Sequence, residues 1–177
     1  PLTTLIAGLI LGVVILVHYL VRHLKPVEST GYKEVAIATI FTLGIFLAPL
    51  SLKSNIDLSV MPLFVQFLLI ATVNLILFSL FEQHSDRLDQ QRSIVTALGE
   101  PKCNLIVNIL LAAYFLTTLS MLFVQLYTST STTAQLILLT MGLAMSFLAL
   151  KPSFFSRKEH YRIIGDGIFL LPLLLLW

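Results

Sequence analysis

Charge is what this chain has least of. Only 11% of its 177 residues are Asp, Glu, Lys or Arg, 57% are hydrophobic, and the mean hydropathy is +0.94, outside the range of soluble domains. The basic residues lie in loops rather than along one exposed face, which argues against nucleic acid as a partner. A single cysteine, Cys103, cannot form an internal disulfide, and it reads as a small packing residue. The alternating polar and apolar pattern of a membrane barrel is missing, and so are internal repeats of 20 to 50 residues and low-complexity segments.

What is present is six long apolar stretches. A helix needs roughly 20 mostly apolar residues to cross about 30 Å of hydrocarbon, so the fold class is all-α integral membrane. Spans are expected at Leu2–Leu20, Val35–Leu52, Met61–Leu80, Asn104–Leu126, Thr133–Leu150 and Ile163–Trp177. Pro62 suits the first turn of span three, where a missing N–H costs nothing, whereas Pro172 should kink span six. Gly8 and Gly12 form a small-xxx-small pair that would admit a neighbouring backbone. His18, Tyr19, Gln66, Asn108, Tyr114, Gln125 and Gln135 are read mostly as interhelical hydrogen bonds.

Ten of the eleven Lys and Arg residues fall in alternate gaps. Gap one holds Arg22, Lys25 and Lys33, gap three Arg87, Arg92 and Lys102, and gap five Lys151, Arg157, Lys158 and Arg162; gap two holds only Lys53 and gap four none. Basic residues in short loops stay on the cytoplasmic side, so gaps one, three and five are expected there and both termini outside. The chain starts at Pro1 with a span at once, so it is expected to be a single transmembrane domain lacking upstream spans.

The third gap carries the densest polar chemistry, Phe81–Gly99 (FEQHSDRLDQQRSIVTALG). If span three continues as a helix, Glu82, Asp86 and Asp89 stand at i, i+4 and i+7 and project within an arc of roughly 60°. Oxygen ligands on one face suit a hard divalent cation, which magnesium sites hold with one or two carboxylates plus substrate phosphates. Arg87 and Arg92 could clamp phosphate oxygens. Asn74, in the apolar part of the same span and within about a quarter turn of Glu82, must face protein or water rather than lipid. The bland alternative is a solvated helix end. Elsewhere, Arg162 and Asp166 are i, i+4 neighbours expected to pair, and His84, without a ligand-spaced partner, reads as a solvated loop residue.

This segment resembles the second aspartate-rich motif of the UbiA superfamily of intramembrane prenyltransferases, DxxxDxxxG followed by a Ser/Thr-rich stretch and Leu-Gly. Glu82 stands for the first Asp, Asp86 matches the second, Asp89 matches an acidic position before the Gly, and Gln90 replaces the Gly. Tyr32–Pro49 (YKEVAIATIFTLGIFLAP) resembles the family's fifth span, and Lys151–Pro172 (KPSFFSRKEHYRIIGDGIFLLP) resembles the last loop and span of Bacteroidota-like members. The resemblance implies that the six spans correspond to spans four to nine of a nine-span fold in a bacterial inner membrane. It further implies an isoprenyl diphosphate donor, a lipophilic aromatic acceptor and Mg2+ held by Glu82, Asp86 and Asp89, with Arg87, Arg92, Lys25 or Lys33 as diphosphate contacts; Asn74, from its place in span three, is expected to bind substrate along a polar track toward that acidic mouth. The family's first acidic motif has no counterpart here. The alternative is a noncatalytic relative that binds a lipid, quinone or pigment, or packs within a larger membrane complex.

Overall fold

The computed structural model describes residues 2–24, 32–52, 60–128, 132–156 and 159–176, and every regular element among them is helical. In chain order these are α1 (Leu2–Leu24), α2 (Tyr32–Ser51), α3 (Met61–Phe81), α4 (Gln83–Leu88), α5 (Ile94–Leu98), α6 (Glu100–Thr128), α7 (Thr133–Leu150), α8 (Pro152–Phe155), α9 (His160–Gly167) and a 3-10 helix (Ile168–Leu176). Four of them, α2, α3, α6 and α7, are long and apolar enough to cross a membrane. The second to fifth predicted spans are therefore present as membrane-length helices. Among the described residues of α1, Thr4–Val17 forms a shorter apolar stretch.

The sixth expected span is not one kinked α-helix. Its α-helical part ends at Gly167 and the chain continues as the 3-10 helix with Pro172 inside it. The cause is local. A proline cannot donate its N–H and its ring collides with the carbonyl four residues earlier, which for Pro172 is Ile168, the residue where the α-helical pattern stops. Pro62 behaves as expected and lies in the first turn of α3.

α3 is the axis of the bundle, packing against α2, α6, α7 and α9. Ile70, Val73 and Ile76 on α3 meet Val107 and Tyr114 of α6 and Met141 and Met145 of α7 in one core, all at most 1% exposed. Polar clamps fix the register. Gln66 Nε2 donates to Gln135 Oε1 at 3.0 Å and lies 3.3 Å from Thr118 Oγ1, and Gln135 Nε2 returns a bond to Gln66 Oε1 at 3.4 Å. The Tyr114 hydroxyl donates to the Leu138 carbonyl, and a Cβ on Gly142 would lie 2.5 Å from the Tyr114 ring, so α6 and α7 approach closely there. Gln66, Tyr114 and Gln135 thus make the interhelical bonds expected of them. Asn108 does not; its side chain faces outward.

α1 packs on α2, where Ser51 Oγ donates to Thr4 Oγ1 at 2.8 Å. Gly8 and Gly12 admit no close neighbour; a Cβ on either would meet nothing within 4 Å among the described residues. Described residues flanking the first, third and fifth gaps meet at one end of the bundle. That is where Glu34 meets Ile94 and Glu82 meets Arg162.

Candidate functional site

The acidic segment leaves α3 almost without a break. Glu82 N bonds to Phe78 O at 2.9 Å, Asp86 N to Glu82 O at 2.8 Å and Asp89 N to Ser85 O at 2.9 Å, carrying the i→i−4 ladder through the turn at Glu82 into α4. The end of α4 is a Schellman stop. Gln91 N reaches back to Asp86 O at 2.7 Å and Gln90 N to Arg87 O at 3.4 Å, with Gln90 in the left-handed region at φ 54. Position 90 therefore has the backbone conformation that favours glycine. It is also where the resembled motif has its Gly.

The three carboxylates do not share one environment. Glu82 Oε1 accepts from the Tyr161 hydroxyl at 3.2 Å and from Arg162 Nε at 3.0 Å, with Arg162 Nη2 at 2.9 Å. Asp86 is half-buried and Asp89 exposed, and neither side chain has a hydrogen bond or ion pair among the described residues. No group of three His, Cys, Asp or Glu residues placed to hold a metal occurs among the described residues. The three carboxylates are thus not gathered into one cage among the described residues. Arg87, Arg92 and Lys33 lie at the same end without ion pairs among the described residues. Lys25 lies outside the described residues.

The expected Arg162–Asp166 pair does not form. Arg162 instead bridges Glu82 and Glu159, whose Oε2 is 3.0 Å from Nη1. The Tyr161 ring stacks on Phe81 at 4.6 Å between centroids and meets Phe78 edge-on at 5.6 Å, which presents its hydroxyl to Glu82. Burial first, and then the Glu82 charge, push the Tyr161 phenol above its ordinary pKa. Hydrogen bonding and attraction to Glu82 raise Arg162 in turn.

Asn74 is buried with Oδ1 unpartnered, two turns below Glu82 on the α9-facing side of α3. A Cβ on Gly165 would lie 2.6 Å from that oxygen and 2.5 Å from the Phe78 ring, so only glycine lets α9 come this close. Asn74 and Asp166 share the wall of a cavity of about 130 Å3 beside Ala38 and Phe41 of α2. Asn74 therefore faces protein rather than lipid, at the seam between α3 and α9, where the Phe78 ring also packs against Gly165.

Glu34 is a site residue that the sequence reading did not single out. It is 3% exposed, and its Oε1 accepts from Ser79 Oγ at 3.1 Å and from the backbone N–H of Ile94 at 2.9 Å, while Oε2 has no partner among the described residues. Ile94 is the first residue of α5, so Glu34 satisfies one of that helix's orphan N–H groups. Ser93 and Thr96 close a capping box at 2.8 and 3.4 Å, and Gly99 at φ 85 turns the chain into α6. Cys103, fully buried, packs its sulfur 3.6 Å from the Ile94 carbonyl. A charged residue at the start of an apolar span was the available signal. The acidic segment is thus held at both ends, by α9 at Glu82 and by α2 at Ile94.

A second cavity, of about 630 Å3, opens at the same end between α3, α6 and α7.

Together these features define an all-helical protein whose four membrane-length helices carry a polar, charge-rich site at one end. No family model, no curated protein and no solved structure matches the chain.

Proposed function

We propose that the protein is a UbiA-like membrane prenyltransferase, moving an isoprenyl group from an isoprenyl diphosphate to a lipophilic aromatic acceptor. The observation that carries this reading is the acidic turn itself: Asp86 and Asp89 sit one and two turns beyond Glu82, at the end of a membrane-length helix, with Arg87 and Arg92 beside them and none of the four paired among the described residues. In this reading that end faces the cytoplasm, as the basic gaps predict, and the membrane is the bacterial inner membrane that the resemblance implies. Asp86 and Asp89 would hold magnesium, which when bound supplies charge neutralisation at a departing diphosphate. Arg87, Arg92, Lys33 and Lys25 contribute positive charge to the phosphate oxygens. Glu82 is kept in place by Arg162 and Tyr161, and Asn74 supplies a polar step within the α3–α9 seam. Asp86→Asn is expected to abolish magnesium-dependent pyrophosphate release; unchanged turnover removes the ligand role.

The Glu82–Arg162 pair also favours a second reading, in which the fold is kept without chemistry and the chain serves as a lipid-, quinone- or pigment-binding subunit of a larger membrane complex. There the carboxylate is a structural tether. Recovery of a stoichiometric protein partner, with no metal-dependent diphosphate binding, supports this reading over the first.

A further inference from the structure

Three residues of α6 form a polar stripe along the first part of a membrane-length helix. Glu100, Asn104 and Asn108 follow one another at i, i+4 and i+8, so they share a face that runs about 12 Å along the axis from the loop-three end. All three are exposed, and none of their side chains has a partner among the described residues. Asn108 lies eight residues inside a membrane-length helix. An amide facing hydrocarbon there is costly unless something polar meets it.

The stripe is one wall of the cavity of about 630 Å3. Gln83 at the start of α4 and Ser146 of α7 add polar groups from two other directions, and apolar residues, mostly leucines of α3, α6 and α7, line the rest. Ser146 Oγ donates to Gly142 O at 2.9 Å, which leaves its oxygen free to accept. The volume falls within the usual range for small-molecule sites, about 300–1,000 Å3. Lys and Arg are absent from its lining, and Glu100 is its one charged residue. An anionic head would meet a carboxylate without a counter-charge.

The geometry points to a binding site for a lipophile with a neutral hydrogen-bonding head, a phenol, alcohol or carbonyl, whose hydrocarbon body lies on the leucine walls while Asn104 and Asn108 hold the head. The lining takes Phe81 and Gln83 from the acidic segment but none of Glu82, Asp86 and Asp89, and the proposal does not depend on the prenyl-transfer reading. The concave, three-sided lining favours a small molecule over a helix from a second copy.

The test uses the full chain in phosphatidylcholine nanodiscs, with 4-octylphenol as the neutral probe and octyl phosphate as its anionic counterpart. Saturable one-to-one binding of 4-octylphenol is expected, weakened about tenfold by Asn104→Leu with Asn108→Leu, with octyl phosphate at least about tenfold weaker than the phenol. Equal phenol binding by the double variant, equal competition by octyl phosphate, or a wild-type dimer that Asn108→Leu converts to monomer without changing phenol binding would each overturn the proposal. Should the double variant misfold, a diazirine-bearing octylphenol photolysed on the unaltered protein decides. Crosslinks within 104–111 or 146–150 support the site, and crosslinks elsewhere overturn it.

Discussion

Arg162 and Glu82 meet at 2.9 Å across 80 residues of sequence, joining the first turn of α9 to the end of α3. The pair is half exposed on the arginine side, so its contribution to stability is small. Its consequence is positional. Glu82 is turned toward α9, while Asp86 and Asp89 have no partner among the described residues.

Tyr161 reports on that arrangement through its proton. Burial and the Glu82 charge raise the phenol above its ordinary pKa, so the folded state holds this proton more tightly than the unfolded chain does. The resulting stability is fully present below about pH 10 and is lost as pH rises through the folded pKa. Tyrosinate absorbance, with Tyr161→Phe to assign the signal, should show Tyr161 ionising late. Glu82→Gln should bring that ionisation back toward the ordinary value; an unaltered titration would show that Glu82 has no hold on the phenol.

Gln90 occupies a left-handed position at a Schellman stop, a conformation that costs a residue with a side chain about 1 kcal/mol. Gln90→Gly should therefore raise stability by about 0.5–1 kcal/mol, read as an increase in the thermal midpoint in detergent. A decrease would mean that the Gln90 side chain contributes more than the strain costs.

Gly142 faces a tyrosine that cannot swing away. The Tyr114 hydroxyl is bonded to the Leu138 carbonyl, so a Cβ at position 142, 2.5 Å from the ring, forces α6 and α7 apart. Gly142→Ala should cost about 1–3 kcal/mol in a denaturant titration. Adding Tyr114→Phe, which frees the ring, should recover part of that loss; no recovery would place the strain elsewhere.

The Gln66–Gln135 amide pair predicts a signature of non-additivity. Gln66→Leu leaves Gln135 buried without its partner and should cost about 1–2 kcal/mol. The double variant Gln66→Leu, Gln135→Leu should cost less than the two single losses combined. Strict additivity in the same unfolding assay would show that the pair is not coupled.

Much of this architecture was legible in the chain because it depends on local properties. Length and apolarity decide whether a helix can cross hydrocarbon, and they located α2, α3, α6 and α7. The amides Gln66 and Gln135 were legible as interhelical bonds for the same reason, since a buried amide must find a partner. Asn108 escaped that rule because helix rotation turned it outward. Pro172 announced a disturbance in the last span, but whether a proline kinks a helix or changes its type, as it does from Ile168 onward, is not written in its position alone.

The sequence by itself determined an all-helical chain with membrane-length apolar helices, an acidic turn after α3 and basic gaps that alternate. Each of these follows from composition within one segment or from counting segments. Only the tertiary structure decided that Glu82 belongs to Arg162 and Tyr161, that Asp166 shares a cavity with Asn74, and that Glu34 caps α5. Those pairings depend on the rotation and register of helices packed side by side, which residue spacing within any one helix does not contain.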